Sequence, residues 1–308
     1  VSVSVFRFLR YTNLLLRRAD RIREEISSMR ELTGQQVVDA IRTETEKTLE
    51  ALNGYVPTLA IVRVGENVPQ LSYERGAKKR MQNFGLDVKT FVFPEDVTPE
   101  VFFQRFREIN ADPCIDGVLL LKPLPAQLDV KRAERSIDPE KDLDGISPVN
   151  IARVFAGEEE GFAPCTAEAV IETLRTYEIP VHGKRAVVVG RSLVVGRTLA
   201  MLLLRDNATV TICHTQTSDL KEECRKAEIL AVAAGKAKLV NRDYVSEGCV
   251  ILDVGINAGE DGNLCGDVNP EGLEEVAAAL TPVPRGIGAV TTSVLAKHLV
   301  QAAARRRL

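Results

Sequence analysis

The chain has 308 residues, 45% hydrophobic and 27% charged, with a formal net charge of −3, a soluble globular profile long enough for two hydrophobic cores. The slightly acidic balance argues against nucleic-acid binding, and no apolar run approaches the roughly 20 residues of a membrane span. Six cysteines (Cys114, Cys165, Cys213, Cys224, Cys249, Cys265) form no C-x-x-C pair and three histidines (His182, His214, His298) are unclustered, so reduced thiols in a cytoplasmic protein without a metal are expected.

Residues 1–28 carry six Arg against three acids, and the first methionine is Met29. An Arg-rich amphipathic leader suits organelle targeting. Asp20, Glu24 and Glu25 are unusual there, so an over-extended reading frame with Met29 as natural start is the favoured expectation.

From residue 33 the periodicity takes over. Val37, Val38, Ile41, Leu49 and Leu52 recur at helical spacing ahead of Gly54, which predicts a helix over 33–53. The compact run 58–65 reads as a strand, then a helix at 71–84, a strand at 86–93, a helix at 99–110 and a strand at 117–125 closed by two prolines. Alternating strands and helices predict an α/β unit with a mainly parallel sheet. Residues 182–214 read as strand, Gly-bearing turn, helix and strand, followed by strands at 228–235, 249–257 and 279–284 and a terminal helix at 291–305. This second α/β unit reads as a Rossmann-like doubly wound parallel sheet, with a cleft between the two domains.

Several positions invite chemistry, each with a plainer alternative. Gly190 ends a strand and Gly196 follows in the next turn of "VVVGRSLVVGRT"; a helix N-terminus there could receive a pyrophosphate, although any strand-to-helix turn uses glycine. Asp144 precedes Gly145 and could simply make a turn. In "LSYERGAKKR" (71–80), Lys78, Lys79 and Arg80 follow Tyr73 and read as a solvated or phosphate-attracting face.

Taken in order, "VGEN" (64–67) with Tyr73, "KDLDGISPVN" (141–150), "PCT" (164–166), Gly190-x-Ser192-x-x-Val195-Gly196, "NATVTICHTQT" (207–217), "DVGIN" (253–257), "GDV" (266–268) and "TPVPRGIGAVTTSVLAKH" (281–298) resemble the bifunctional methylenetetrahydrofolate dehydrogenase/methenyltetrahydrofolate cyclohydrolase family. The resemblance covers 29–308. It implies a folate-binding catalytic domain (29–165 plus 291–308), an NAD(P)-binding domain (166–290) and a homodimer. By the same resemblance Tyr73 stacks on the tetrahydrofolate substrate, Asp144 hydrogen-bonds the pterin, and Pro284, Gly286 and Gly288 lie in a loop bridging folate and cofactor. Gly190, Ser192, Val195 and Gly196 form the cofactor turn, the Ile256 backbone meets the nicotinamide, and Arg191 with Thr215 favours NADP, with NAD kept open.

The departures are as informative. The family pattern Tyr-x-x-x-Lys places its hydrolytic lysine one turn after the tyrosine; here that position is Ala77. The Gln that hydrogen-bonds this lysine is Leu121, Thr198 stands where the family has Pro, Arg285 replaces a glycine, and Ala289-Val290 replaces Pro-Met. The leading expectation is therefore an NADP-linked dehydrogenase with the cyclohydrolase step in doubt. Two others stay open: a fully bifunctional enzyme using Lys78 or Lys122, and a weakly active folate- or nucleotide-binding homologue.

Overall fold

A computed structural model describes residues 29–259 and 262–308; the expected leader, 1–28, lies outside the described residues. In chain order the first half runs β1 (Arg30–Glu31), α1 (Gly34–Ala51), β2 (Thr58–Val64), α2 (Val68–Asn83), β3 (Asp87–Phe93), α3 (Pro99–Ala111), β4 (Gly117–Leu120), α4 (Val130–Ser136), α5 (Pro148–Ala156) and α6 (Cys165–Thr176). The second half runs β5 (Arg185–Val189), a π turn (Leu193–Arg197), α7 (Thr198–Arg205), β6 (Thr209–Cys213), α8 (Leu220–Arg225), β7 (Ile229–Val232) and β8 (Cys249–Asp253). It continues with the hairpin β9 (Asn257–Ala258) and β10 (Leu264–Cys265), then β11 (Ala277–Leu280) and the terminal helix α9 (Ile287–Arg307).

Two parallel sheets organise these elements. The small one has the order β3-β2-β4, the large one β1-β11-β8-β7-β5-β6. Every residue of β2 is buried, as a central strand covered on both faces must be. Leu59 and Ile61 join the cluster under α1, α2 and α9, whereas Ala60, Val62 and Val64 join a second cluster with Phe102, Phe103 and Phe106 of α3. Counted from β5, the large sheet reads 2-1-3-4-5 with β1 added at the edge. Ligands in such sheets bind beyond the carboxyl ends, where the strand order reverses. In the large sheet that point lies between β5 and β7, and in the small one between β2 and β4.

Local signals explain the boundaries. Asn67 caps α2, accepting from Gln70 N, and Thr98 caps α3 ahead of Pro99, so both helices start at a side-chain acceptor. The strand expected over 117–125 stops at Leu120, with one further ladder bond from Leu121 N to Val62 O, 2.9 Å; Pro123 and Pro125 can donate none. The strand expected over 249–257 ends at Asp253, and that over 279–284 is Ala277–Leu280. The terminal helix starts at Ile287 instead of 291, because the single glycine of its first turn, Gly288, does not break it. Arg30 and Glu31, expected with the first domain, pair in parallel with Ala279 and Leu280 of the large sheet.

Candidate functional site

Asp144 sits at the amino end of α6, where its Oδ1 accepts from Cys165 N at 3.0 Å, a place where the helix dipole favours a carboxylate. The turn itself is made by Asp142, whose carboxylate accepts from Ile146 N (3.0 Å), Ser147 N (2.7 Å) and Asn150 Nδ2 (3.0 Å). Asp144 is thus released from turn-making, and its Oδ2 has no protein donor among the described residues. Burial pushes its pKa up, opposed by the Cys165 N–H. The Tyr73 hydroxyl lies close enough that, after burial, the charges of Asp144 and Cys165 raise its pKa well above the ordinary phenol value. Tyr73 and Asp144 are thus within electrostatic reach of each other.

Cys165 and His298 form the floor beneath them, a pair that sequence reasoning did not single out. Nδ1 of His298 donates to Leu143 O at 2.8 Å and the Cys165 thiol donates to the same carbonyl at 3.3 Å. Burial lowers the His298 pKa to about 4, so the ring is neutral at physiological pH, and burial raises the thiol well above its ordinary value. Neither is an acid or a nucleophile here; both hold the main chain leading into Asp144.

Ala77 and Leu121 are buried in the same apolar cluster, at 0% and 5% exposure. Lys78 turns away from that face and bonds Glu74 at 2.6 Å. Glu74 is buried and also accepts from Arg63 Nε at 2.8 Å; burial raises its pKa, but Lys78 and Arg63 outweigh this and leave it lowered. Lys122 bonds Glu134 of α4 at 2.8 Å, on the side of the small sheet where Ala133 packs. Its neighbour Pro123 offers a carbonyl to Gln70 Nε2 of α2 at 2.7 Å.

The second part of the site lies beyond β5 and β7. Gly190 has φ +136°, and a Cβ there would collide with the carbonyl of Ala233, which follows β7. A Cβ on Gly196 would in turn strike Gly190 O. The chain segments close on each other so tightly that only glycine fits, and Ser192 caps the following turn by accepting from Val195 N at 3.2 Å. Arg191 and Thr215 are both exposed and stand two residues beyond the in-register pair Val189 and Cys213, past the carboxyl ends of neighbouring strands. This cradle, with a guanidinium at its rim, suits a phosphorylated dinucleotide.

Beyond β8 and β11 a cleft of about 210 Å³ is lined by Ile256, Pro284, Arg285, Gly286, Gly288 and Ala289 among others. Ile256 lies in no strand, contrary to expectation; its side chain packs over Gly288, where a Cβ would stand 2.8 Å from Ile256 Cδ1. Two buried carboxylates organise these loops. Asp253 accepts from Gly255 N (3.1 Å), Asp267 N (3.0 Å) and Val268 N (3.0 Å). Asp267 accepts from Ala234 N (2.6 Å), Gly235 N (2.8 Å), Lys236 N (2.9 Å) and Asn257 Nδ2 (2.9 Å). Arg285 has φ +83°, the region that favours glycine. Among the described residues no group of three His, Cys, Asp or Glu side chains is placed to hold a metal ion, and no helix is long and apolar enough to cross a membrane.

Residues 32–144 match the model of the tetrahydrofolate dehydrogenase/cyclohydrolase catalytic domain, and residues 164–307 that of its NAD(P)-binding domain. The chain belongs to the tetrahydrofolate dehydrogenase/cyclohydrolase family. A relative from Alkaliphilus oremlandii named bifunctional protein FolD is 47% identical over 273 residues, covering 88% of this chain and 96% of that protein. The crystal structure of the bifunctional FolD enzyme from Campylobacter jejuni superposes with a TM-score of 0.88 at 35% identity, covering 91% of this chain and all of that one. A Trypanosoma brucei methylenetetrahydrofolate dehydrogenase-cyclohydrolase, solved with NADP and an inhibitor, gives 0.83 at 32% identity over 91% of this chain and 98% of that one. This family member is an α/β enzyme of folate one-carbon chemistry.

Proposed function

We propose that this chain is an NADP-linked 5,10-methylenetetrahydrofolate dehydrogenase whose cyclohydrolase step is lost or very slow. One observation carries the second half of that reading: Ala77 and Leu121 share an apolar cluster while Lys78 is tied to Glu74. Activating water next to the folate needs an ammonium or another polar group at that place, and positions 77 and 121 offer only carbon.

Hydride transfer makes a different demand. A dinucleotide held by the Gly190 turn and the Ile256 backbone would supply the acceptor for the hydride of the folate methylene carbon. The protein must orient the pterin and bring the two partners together, with no strong base. Asp144, with Oδ2 uncommitted, suits the pterin's N–H donors. Tyr73 offers its ring to the folate, and its raised pKa keeps the hydroxyl protonated. Gly190, Ser192, Val195 and Gly196 cradle the dinucleotide phosphates, Arg191 and Thr215 take the 2′-phosphate, and the Ile256 backbone and the Pro284–Gly288 loop receive the nicotinamide side.

In this reading residues 29–165 with 291–308 bind folate, and 166–290 bind the dinucleotide. The protein is a cytoplasmic homodimer; exposed Phe155 on α5 and Leu204 on α7, helices that pack together, support a dimer.

Two assays decide the reading. With methylenetetrahydrofolate supplied, NADP should be reduced, followed by absorbance; no reduction with NADP or NAD would sink the dehydrogenase assignment. Methenyltetrahydrofolate should disappear at its spontaneous rate. A clear enzymatic rate, abolished in Lys78→Ala or Lys122→Ala, would establish the bifunctional alternative.

A further inference from the structure

Arg80 was expected in a solvated basic run, yet it is half-buried and committed. Its Nη2 donates to Ala289 O at 3.2 Å and its Nε to Thr292 Oγ1 at 3.4 Å. Both acceptors lie in the first turns of α9, more than 200 positions away in sequence. The Asp39 carboxylate on α1 is within electrostatic reach.

Stability of α9 gives no reason for this arrangement. A cation beside a helix N-terminus opposes the macrodipole, and taking a guanidinium half out of water has its own cost. What the contact does achieve is geometric. Ala289 lines the cleft together with Ile256, Pro284 and Gly286, and Arg80 bonds its carbonyl. Arg80 lies two turns after Tyr73 on the same helix, about 10 Å along its axis.

The loop leading into that turn contains a non-glycine residue at φ +83°, Arg285, held from α1 by Gly34 N on its carbonyl at 2.7 Å; Arg80 adds a second hold from α2. We infer that Arg80 is a positioning residue that locks the first turn of α9, and with it the 284–286 loop, to the Tyr73 helix and so sets the width of the folate gap. The inference rests on the dehydrogenase reading for what fills that gap, and the distance it fixes is between two walls of this chain.

The test compares the wild type with Arg80→Met, which keeps the stem and removes the fork, and Arg80→Lys, which keeps one donor. For Arg80→Met, the Kd for tetrahydrofolate by calorimetry and the KM for methylenetetrahydrofolate should both rise about tenfold, the scale of a charge-assisted hydrogen bond. The KM for NADP should rise less than that for methylenetetrahydrofolate, because the Gly190 turn is untouched and only the nicotinamide end meets this segment. Arg80→Lys should recover most of the loss. An unchanged tetrahydrofolate Kd in Arg80→Met overturns the inference, as does an equal loss of folate and NADP affinity that Arg80→Lys fails to rescue. A wild type that binds tetrahydrofolate but reduces no cofactor sinks the dehydrogenase reading instead, and the calorimetric ratio still decides the role of Arg80.

Discussion

Ala77 of α2 and Leu121 at the end of β4 are both buried in one apolar cluster, although one belongs to a helix face and the other to a strand end. Two polar partners replaced together by carbon leave no unpaired group at positions 77 and 121, where replacing only one would; nearby, Gln70 Oε1 is buried without a partner among the described residues. Ala77→Lys alone should therefore lower stability by on the order of 2 kcal/mol and leave methenyltetrahydrofolate hydrolysis at its spontaneous rate. Ala77→Lys with Leu121→Gln should recover part of the stability and raise hydrolysis above the single variant. Hydrolysis by the single variant equal to the double would show that the glutamine position is dispensable.

Asp144 has one oxygen held by Cys165 N and one uncommitted. Asp144→Asn puts an amide donor where acceptors are needed, against pterin N–H groups that also donate. The kcat/KM for methylenetetrahydrofolate should fall at least about a hundredfold, with the KM for NADP nearly unchanged. A variant retaining most of its kcat/KM would remove Asp144 from the site.

The alternation of strands and helices was legible because apolar spacing is local, and so was Ala77, because helical register from Tyr73 fixes it. What escaped was set by partners distant in the chain. Asp142 and Asp144 look alike in "DLDG", yet only the fold shows that Asp142 makes the turn and Asp144 does not. Arg80 looked solvated because Ala289 enters its neighbourhood only through the packing of α9. Asp253 and Asp267 were quoted within motifs but had no visible role, since their partners are main-chain N–H groups of loops joined to other strands. The small sheet's cis peptide between Lys122 and Pro123 likewise lay inside what read as a continuing strand.

Asp253 gives a pH prediction with two opposite signs. Burial raises its pKa to about 6, opposed by the N–H groups of Val268, Asp267 and Gly255. Between the ordinary carboxyl pKa near 4 and about 6, the folded chain takes up a proton that the unfolded chain does not. The group's contribution to stability is therefore greatest below about pH 4 and declines as pH rises through 6. Cofactor binding should move the other way. Protonation spoils an acceptor holding Gly255 and the 267–268 segment, so the KM for NADP should rise as pH falls from 7 to 5. Asp253→Asn should flatten that profile; a profile unchanged in the variant would clear Asp253 of the effect.

Arg191 is exposed, and its partner is expected to be the 2′-phosphate. Arg191→Ser should raise the KM for NADP about tenfold or more while leaving that for NAD within about twofold. Equal changes for the two dinucleotides would assign Arg191 to the common phosphates instead.

Arg285 holds φ +83° with its carbonyl accepting from Gly34 N at 2.7 Å, so the main chain is pinned in a conformation that a side chain disfavours. Its guanidinium compensates little, being largely exposed and 3.9 Å from Glu31, where an ion pair is weak. Arg285→Gly should relieve strain of about 1–2 kcal/mol, less the extra freedom glycine gives the unfolded chain. The net gain is about 1 kcal/mol, or roughly 2 °C in Tm for a chain of this size. Arg285→Ala, which removes the guanidinium but keeps a Cβ, separates the two contributions: its Tm should stay near wild type. A lower Tm in Arg285→Gly, matched by Arg285→Ala, would mean that the side chain, and not the backbone angle, governs this loop.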